Sequence, residues 1–277
     1  MRFLSVVIAG LIAGSAAANA AEETPELAAL AALNEFIDAW NTADNAELRK
    51  ALNYPFFTLF RPGQPEIAET PEQFTTDFQL MREQQNWARS TFDESKALTV
   101  TEDQVHFATT YSRHNTDGEK YQTGRVLYIV TKQDGHWGMQ FRSGMPPGEA
   151  DAEAETAARA VIDEFFAAWN GADNEAMAKT INFPHAFIIR DGRAAIAKSA
   201  IRIGTDFEGM RESEGWHHSE YHGLEFIHAA PDKVIAQLTF TRHDEDGTIY
   251  RTVPVLWIIT MQDGHWGIQL RAILGAL

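Results

Sequence analysis

The chain has 277 residues, room for two domains of ordinary size, and its 44% hydrophobic and 22% charged content is that of a globular protein. A net charge of -16 argues against nucleic acid or an anionic membrane as a partner, since either needs a basic surface. There is no cysteine, which excludes disulfides, thiolate metal sites, a cysteine nucleophile and acylation at a cysteine.

Residues 1–20 read as a signal peptide. Met1-Arg2 carries a positive charge, Phe3 to Ile12 is nearly all apolar, and Ala18-Asn19-Ala20 is a small-residue cleavage site before Ala21. The apolar run is short for a membrane span. The expectation is a periplasmic or secreted protein that leaves the membrane once the leader is cut.

The rest is written twice. Gln133-Asp134-Gly135-His136-Trp137-Gly138 returns letter for letter as Gln262-Asp263-Gly264-His265-Trp266-Gly267, 129 residues later. The same offset aligns Trp40-Asn41 with Trp169-Asn170, Thr76-Asp77-Phe78 with Thr205-Asp206-Phe207, and Arg113-His114 with Arg242-His243. A gap-free repeat of this length is a duplicated domain rather than a solenoid unit. The expected domains are 26–143 and 155–274, joined by a linker at 144–154 that contains Pro146-Pro147-Gly148.

Within each copy the hydrophobic period changes from helix to sheet. Leu30, Leu33, Ile37 and Trp40 recur at helical spacing, as do Ile162, Phe166 and Trp169. Asp44 and Asp173 are placed to cap a short second helix. A strand is expected at Phe56 to Phe60 and at Ala186 to Ile189. Thr70-Pro71-Glu72-Gln73 predicts the start of a third helix that buries Phe74, Phe78 and Met81, with Ile203, Phe207 and Met210 in its twin. Strands follow, with Asp117-Gly118 and Asp134-Gly135 as hairpin turns. Val126 to Val130 and Val255 to Ile259 are apolar without a break, so both faces of these strands are covered. Helices of the same half supply one cover. The sheet of the sister half supplies the other, giving an intramolecular pseudo-dimer.

An opening helix ending in Trp-Asn, a capped third helix and long strands closing on Asp-Gly-His-Trp-Gly resemble the nuclear transport factor 2-like superfamily, also called SnoaL-like or polyketide-cyclase-like. The resemblance spans nearly the whole mature chain, twice. It implies an α+β fold of two tandem cone-shaped domains, each a curved, mostly antiparallel sheet wrapped around three helices, with a pocket at the wide end. The superfamily holds isomerases, dehydratases, epoxide hydrolases and binding modules, so fold alone does not assign function. Where ketosteroid isomerases carry an aspartate base, this chain has Phe56-Phe57-Thr58-Leu59-Phe60. The copy offers His185 and no acid before Asp191, and the paired acids of the epoxide hydrolases have no match.

Candidate ligand-binding residues are Arg113 and Arg242, Trp87 and Trp216, and Tyr121 and Tyr250. Each arginine shares an apolar strand face and would either hold a carboxylate or close a hairpin ion pair. The tryptophans would either wall the pocket or pack beneath it. Arg142 and Arg271 fall opposite the Trp137, Met139, Phe141 face, which assigns them to the interface between the repeats. Seven of ten histidines lie in the second half. His218, Glu220 and His222 share a strand face there, but surface histidines in strands are common, and no metal or cofactor is expected. The catalytic candidates are His185 with Glu220, or with Asp206, as a general acid/base pair on a small substrate.

Three readings follow. The leading one is an exported protein whose cones bind a small, anionic organic molecule. The alternatives are an isomerase, dehydratase or hydrolase with its site in the second domain, and a protein-interaction module using the sheet face.

Overall fold

In a computed structural model, residues 24–61, 64–189 and 192–274 are described, and the expected signal peptide lies outside them. The first half runs α1 (Pro25–Thr42), α2 (Asn45–Lys50), β1 (Leu52–Thr58), β2 (Glu66–Ala68), α3 (Phe78–Gln85), β3 (Trp87–Val100), β4 (Gln104–Asn115), β5 (Lys120–Gln133) and β6 (His136–Gly144). The second repeats it: α4 (Ala152–Asn170), α5 (Asn174–Lys179), β7 (Ile181–Ile188), β8 (Ala194–Ala197), α6 (Phe207–Glu214), β9 (His218–Ala230), β10 (Lys233–His243), β11 (Ile249–Gln262) and β12 (His265–Ile273). The sheets have the same order, β2-β1-β6-β5-β4-β3 and β8-β7-β12-β11-β10-β9. Neighbours are antiparallel except β1 with β6 and β7 with β12.

Local chemistry accounts for most boundaries. Asp44 accepts from the Ala46 amide and Asp173 from those of Glu175 and Ala176, capping α2 and α5 as expected. Asp134 (φ 52°) and Gly135 (φ 87°) both take the left-handed conformation that a two-residue hairpin needs, and so do Asp263 and Gly264. The expected third helix is instead two pieces. Pro71–Gln73 is a single 3-10 turn, and α3 starts afresh at Phe78, where Asp77 accepts from the Leu80 amide at 2.8 Å. Gln73 turns back to the Glu69 amide at 2.6 Å, which ends the first turn. Phe74 and Ile203 are buried all the same. The first strand also begins earlier than expected, at Leu52 and Ile181, and runs through cis Tyr54-Pro55 and Phe183-Pro184. The expected linker is shorter at both ends, since β6 includes Gly144 and α4 starts at Ala152, capped by Asp151.

The described residues form three cores. Ala29, Leu33, Phe36 and Trp40 of α1 face Val126, Tyr128 and Val130 of β5 in the first cone. Ala158, Ile162 and Phe165 of α4 face Val255, Trp257 and Ile259 of β11 in the second. The third core joins the sheets: Leu127, Ile129 and Phe141 of one meet Leu256, Ile258 and Leu270 of the other. The unbroken apolar runs are therefore buried on alternate faces against two different layers, as their composition requires.

Candidate functional site

Both cones contain an arginine that the sequence reading had assigned to the other side of the sheet. In β12, Leu270 pairs with Ile258 and Ile268 with Ile259, so Gln269 is the extra residue of a bulge. In β6, Gln140 stands in the same relation to β5, between Met139 and Phe141. Each bulge reverses the alternation. Met139 and Ile268 face their own cones, Phe141 and Leu270 face the inter-sheet core, and Arg142 and Arg271 turn into the cones. The expectation that these arginines line the repeat interface is thereby corrected. The hint in the sequence was a glutamine breaking an apolar strand at the same place in both copies.

In the second cone Arg271 lines a cavity of about 340 Å³ between α4 and the sheet. Its guanidinium lies 5.0 Å from the ring centre of Phe165 and 4.6 Å from that of Phe187. Burial lowers its pKa to about 9, so it is still cationic at neutral pH. No carboxylate among the described residues pairs with it. Its Nε donates to His185 Nε2 at 3.2 Å, while His185 Nδ1 faces the Ile268 carbonyl at 2.9 Å. Only the neutral imidazole with its proton on Nδ1 satisfies both contacts. Burial, reinforced by the Arg271 charge, pushes the His185 pKa well below 6.5.

The first cone holds a smaller cavity of about 210 Å³, lined by Arg142, Arg113, Tyr111 and Tyr128 among others. Arg142 Nε donates to Thr58 Oγ1 at 3.2 Å, and the guanidinium sits within 6.0 Å of the ring centres of Trp40, Phe56, Phe60 and Phe74.

The sequence matches no family model and no curated protein. Among solved structures it is similar to a protein of unknown function with a cystatin-like fold from Nostoc punctiforme, at 19% identity and a TM-score of 0.39, covering 46% of this chain and 93% of that one. It is also similar to an NTF2-like protein with a cystatin-like fold from Novosphingobium aromaticivorans, at 14% identity and a TM-score of 0.37, covering 46% and 90%. An NTF2-like protein of unknown function from Pseudomonas putida matches at 15% identity and 0.38, covering 46% and 90%. Each half is an α+β unit with the same order of six strands.

The expected site residues fall at different depths of the two cones. Arg242, only 6% exposed, lines the second cavity and is held by Glu214 at 2.7 Å; Arg251 lies 3.8 Å from the same carboxylate. It is thus both cavity wall and structural ion pair. Arg113 lines the first cavity, but its Nη1 donates to neutral partners, Gln85 at 2.8 Å and Gln122 at 3.3 Å. Tyr121 and Tyr250 reach Gln85 and Glu214, each at 3.5 Å, at these rims. Trp87 and Trp216 are buried in the cores, their Nε1 donating to Ser90 and Ser219 at 3.0 Å, and neither lines either cone cavity; Trp216 borders a separate cavity of about 410 Å³ with His217 and Asp244.

His185 and Glu220 are not brought together. His185 is fully buried behind Arg271, whereas the Glu220 side chain is 65% exposed, 3.9 Å from both His218 and His243. Asp206 is occupied as the α6 cap. His218 stacks on His243 with ring centres 4.5 Å apart, and His222 is exposed. Among the described residues no three histidine or acidic side chains are placed to hold a metal.

Proposed function

We propose that this is an exported protein whose second cone binds a small organic monoanion with an apolar or aromatic body. One observation carries the reading: Arg271, charged and without a carboxylate partner, lines a cavity otherwise walled mainly by Phe165, Phe166, Trp169, Phe187 and Trp257. A buried guanidinium lacking a counter-ion is costly, and a ligand carboxylate would satisfy it through two parallel hydrogen bonds. The aromatic walls would take the apolar body, and about 340 Å³ suits a compact ligand. The described wall has no carboxylate or imidazole to move a proton, which favours holding a ligand over turning it over. The export part rests on the leader pattern of residues 1–20, and a mature protein starting at Ala21 is its direct check.

Thermal unfolding with phenylalkanoic acids and their amides tests the binding. At ligand near one hundred times Kd, stabilisation of about 2.7 kcal/mol raises Tm by roughly 5–10 °C. The acids should give this shift, the amides should not, and Arg271→Gln should abolish it. Equal shifts for acid and amide, or no shift with any acid, would refute the reading.

A further inference from the structure

The two cones share a fold but not all of their chemistry, and some of the positions at which the repeats differ lie in or beside the first cavity. Tyr128, Tyr111 and Gln85 stand where the second half has Trp257, Phe240 and Glu214. Each exchange makes the first cavity more polar or leaves it more positive.

Arg142 and Arg113 are both in its wall, and no carboxylate among the described residues forms an ion pair with either. The exchange of Glu214 for Gln85 is decisive here. In the second half Glu214 is shared by the rim arginines Arg242 and Arg251; in the first, Gln85 and Gln122 stand in place of Glu214 and Arg251, so Arg113 has neutral hydrogen-bond partners and no carboxylate of its own. Burial lowers the pKa of Arg142; Tyr128 and Glu66 partly support its charge, and Arg113 opposes it to a smaller extent.

Between them stand two phenols. Tyr128 is only 5% exposed, lines the cavity, and its hydroxyl has no hydrogen-bond partner among the described residues. Burial pushes its pKa up, so it stays protonated and has a hydrogen to donate. Tyr111 accepts from Gln122 Nε2 at 3.4 Å, which leaves its own proton to donate. Its ring lies over Gly124, where any Cβ would come within 2.7 Å of it; the twin position is Val253, beneath Phe240. Glycine at 124 therefore provides room for this tyrosine.

We infer that the first cone is a separate site for a compact organic dianion, a short dicarboxylate, with one carboxylate on Arg142 and Tyr128 and the other on Arg113 at the rim. Two guanidiniums at different depths match two separated charges better than a single phosphate, and about 210 Å³ favours a short ligand. This site is independent of the monoanion reading of the second cone.

Titration calorimetry of the tag-free protein at low salt, with glutarate, butyrate and inorganic phosphate as probes, tests it. Glutarate should bind at least about tenfold tighter than butyrate, the scale of one added charge-assisted contact. Arg113→Gln should bring glutarate down to the level of butyrate, and Tyr128→Phe should weaken both acids several-fold. Arg113 is a half-buried rim residue, so its replacement leaves the core untouched. Arg271→Gln, in the other cone, should leave glutarate binding unchanged. Glutarate no tighter than butyrate, phosphate as tight as glutarate, or sensitivity to Arg271→Gln but not to Arg113→Gln would each overturn the proposal. Failure of the second cone to bind phenylalkanoic acids would leave this result standing, because the two experiments read different arginines.

Discussion

Inside a cone, a guanidinium is useful for recognition only if its orientation is fixed, and the repeats fix theirs differently. Arg142 is held by Thr58, a threonine whose twin is Phe187; Arg271 is held by His185, whose twin is Phe56. The polar partner has moved from one position of the strand to another while the contact to Nε persists. His185 is therefore a positioning residue and must stay neutral. This has a consequence in acid. Below about pH 6.5 the unfolded chain takes up a proton that native His185 refuses, so stability falls as pH falls, by at most about 1.4 kcal/mol per pH unit. His106, lowered to about 3, and His228, lowered to about 4, add to the same slope. Urea unfolding at pH 7, 6 and 5 should show this loss, and His185→Gln, which keeps an acceptor, should make it shallower. An unchanged slope in that variant would mean that His185 is charged in the native state. The sequence singled out His185 as a residue private to the second half. Its task was illegible, because Arg271 is 86 residues away and was assigned to the other face.

At the scale of elements, sequence reading succeeded where the signal is local. The caps at Asp44 and Asp173, the Asp-Gly turns and the period of the opening helices depend on neighbours in the chain, and the structure has them all. It failed where a strand departs from period two. A single extra residue, Gln140 or Gln269, changes the face of every residue beyond it, so the alternation that placed Met139 correctly in the cone put both Phe141 and Arg142 on the wrong faces. Both glutamines are buried and accept from a threonine hydroxyl, Thr131 at 2.9 Å and Thr260 at 2.8 Å. Gln140 also donates to the Gly192 carbonyl across the repeat boundary, and Gln269 to that of Pro184. The bulges are thus secured by side-chain hydrogen bonds, a stabilisation that depends on partners distant in sequence. The divided third helix failed for a similar reason. The Thr-Pro-Glu-Gln signal was real, but Gln73 used it for a tight turn.

At the scale of the molecule, the two sheets meet through an apolar core crossed by a few polar ties. Lys233, 1% exposed, donates to the Leu59 carbonyl at 3.3 Å and to Ser143 Oγ at 3.1 Å in the other half. Burial lowers its pKa from 10.5 to about 8. Native Lys233 releases its proton before unfolded lysine does, so this group adds stability as pH rises from about 8 to 10.5, up to roughly 3 kcal/mol in all. Its twin is Gln104, which makes a neutral tie to the Ile273 carbonyl at 3.4 Å. Lys233→Gln should remove most of that alkaline gain and raise stability near pH 7, as measured by denaturant unfolding at pH 7.5 and 9.5. A variant with the same pH dependence as the parent protein would show that Lys233 is solvated in the native state.

By itself the sequence determined that the chain carries one α+β fold twice and that its central strands are covered on both faces. Those conclusions follow from repetition, local capping chemistry and hydrophobic period, all of which are carried by neighbours along the chain. Only the tertiary structure decided which arginines turn inward, which of them keep an uncompensated charge, and that the cones differ in polarity. Those properties depend on a bulge's register and on partners such as Glu214 or Gln85, brought to the rim from a separate helix. Spacing along the chain contains no record of either.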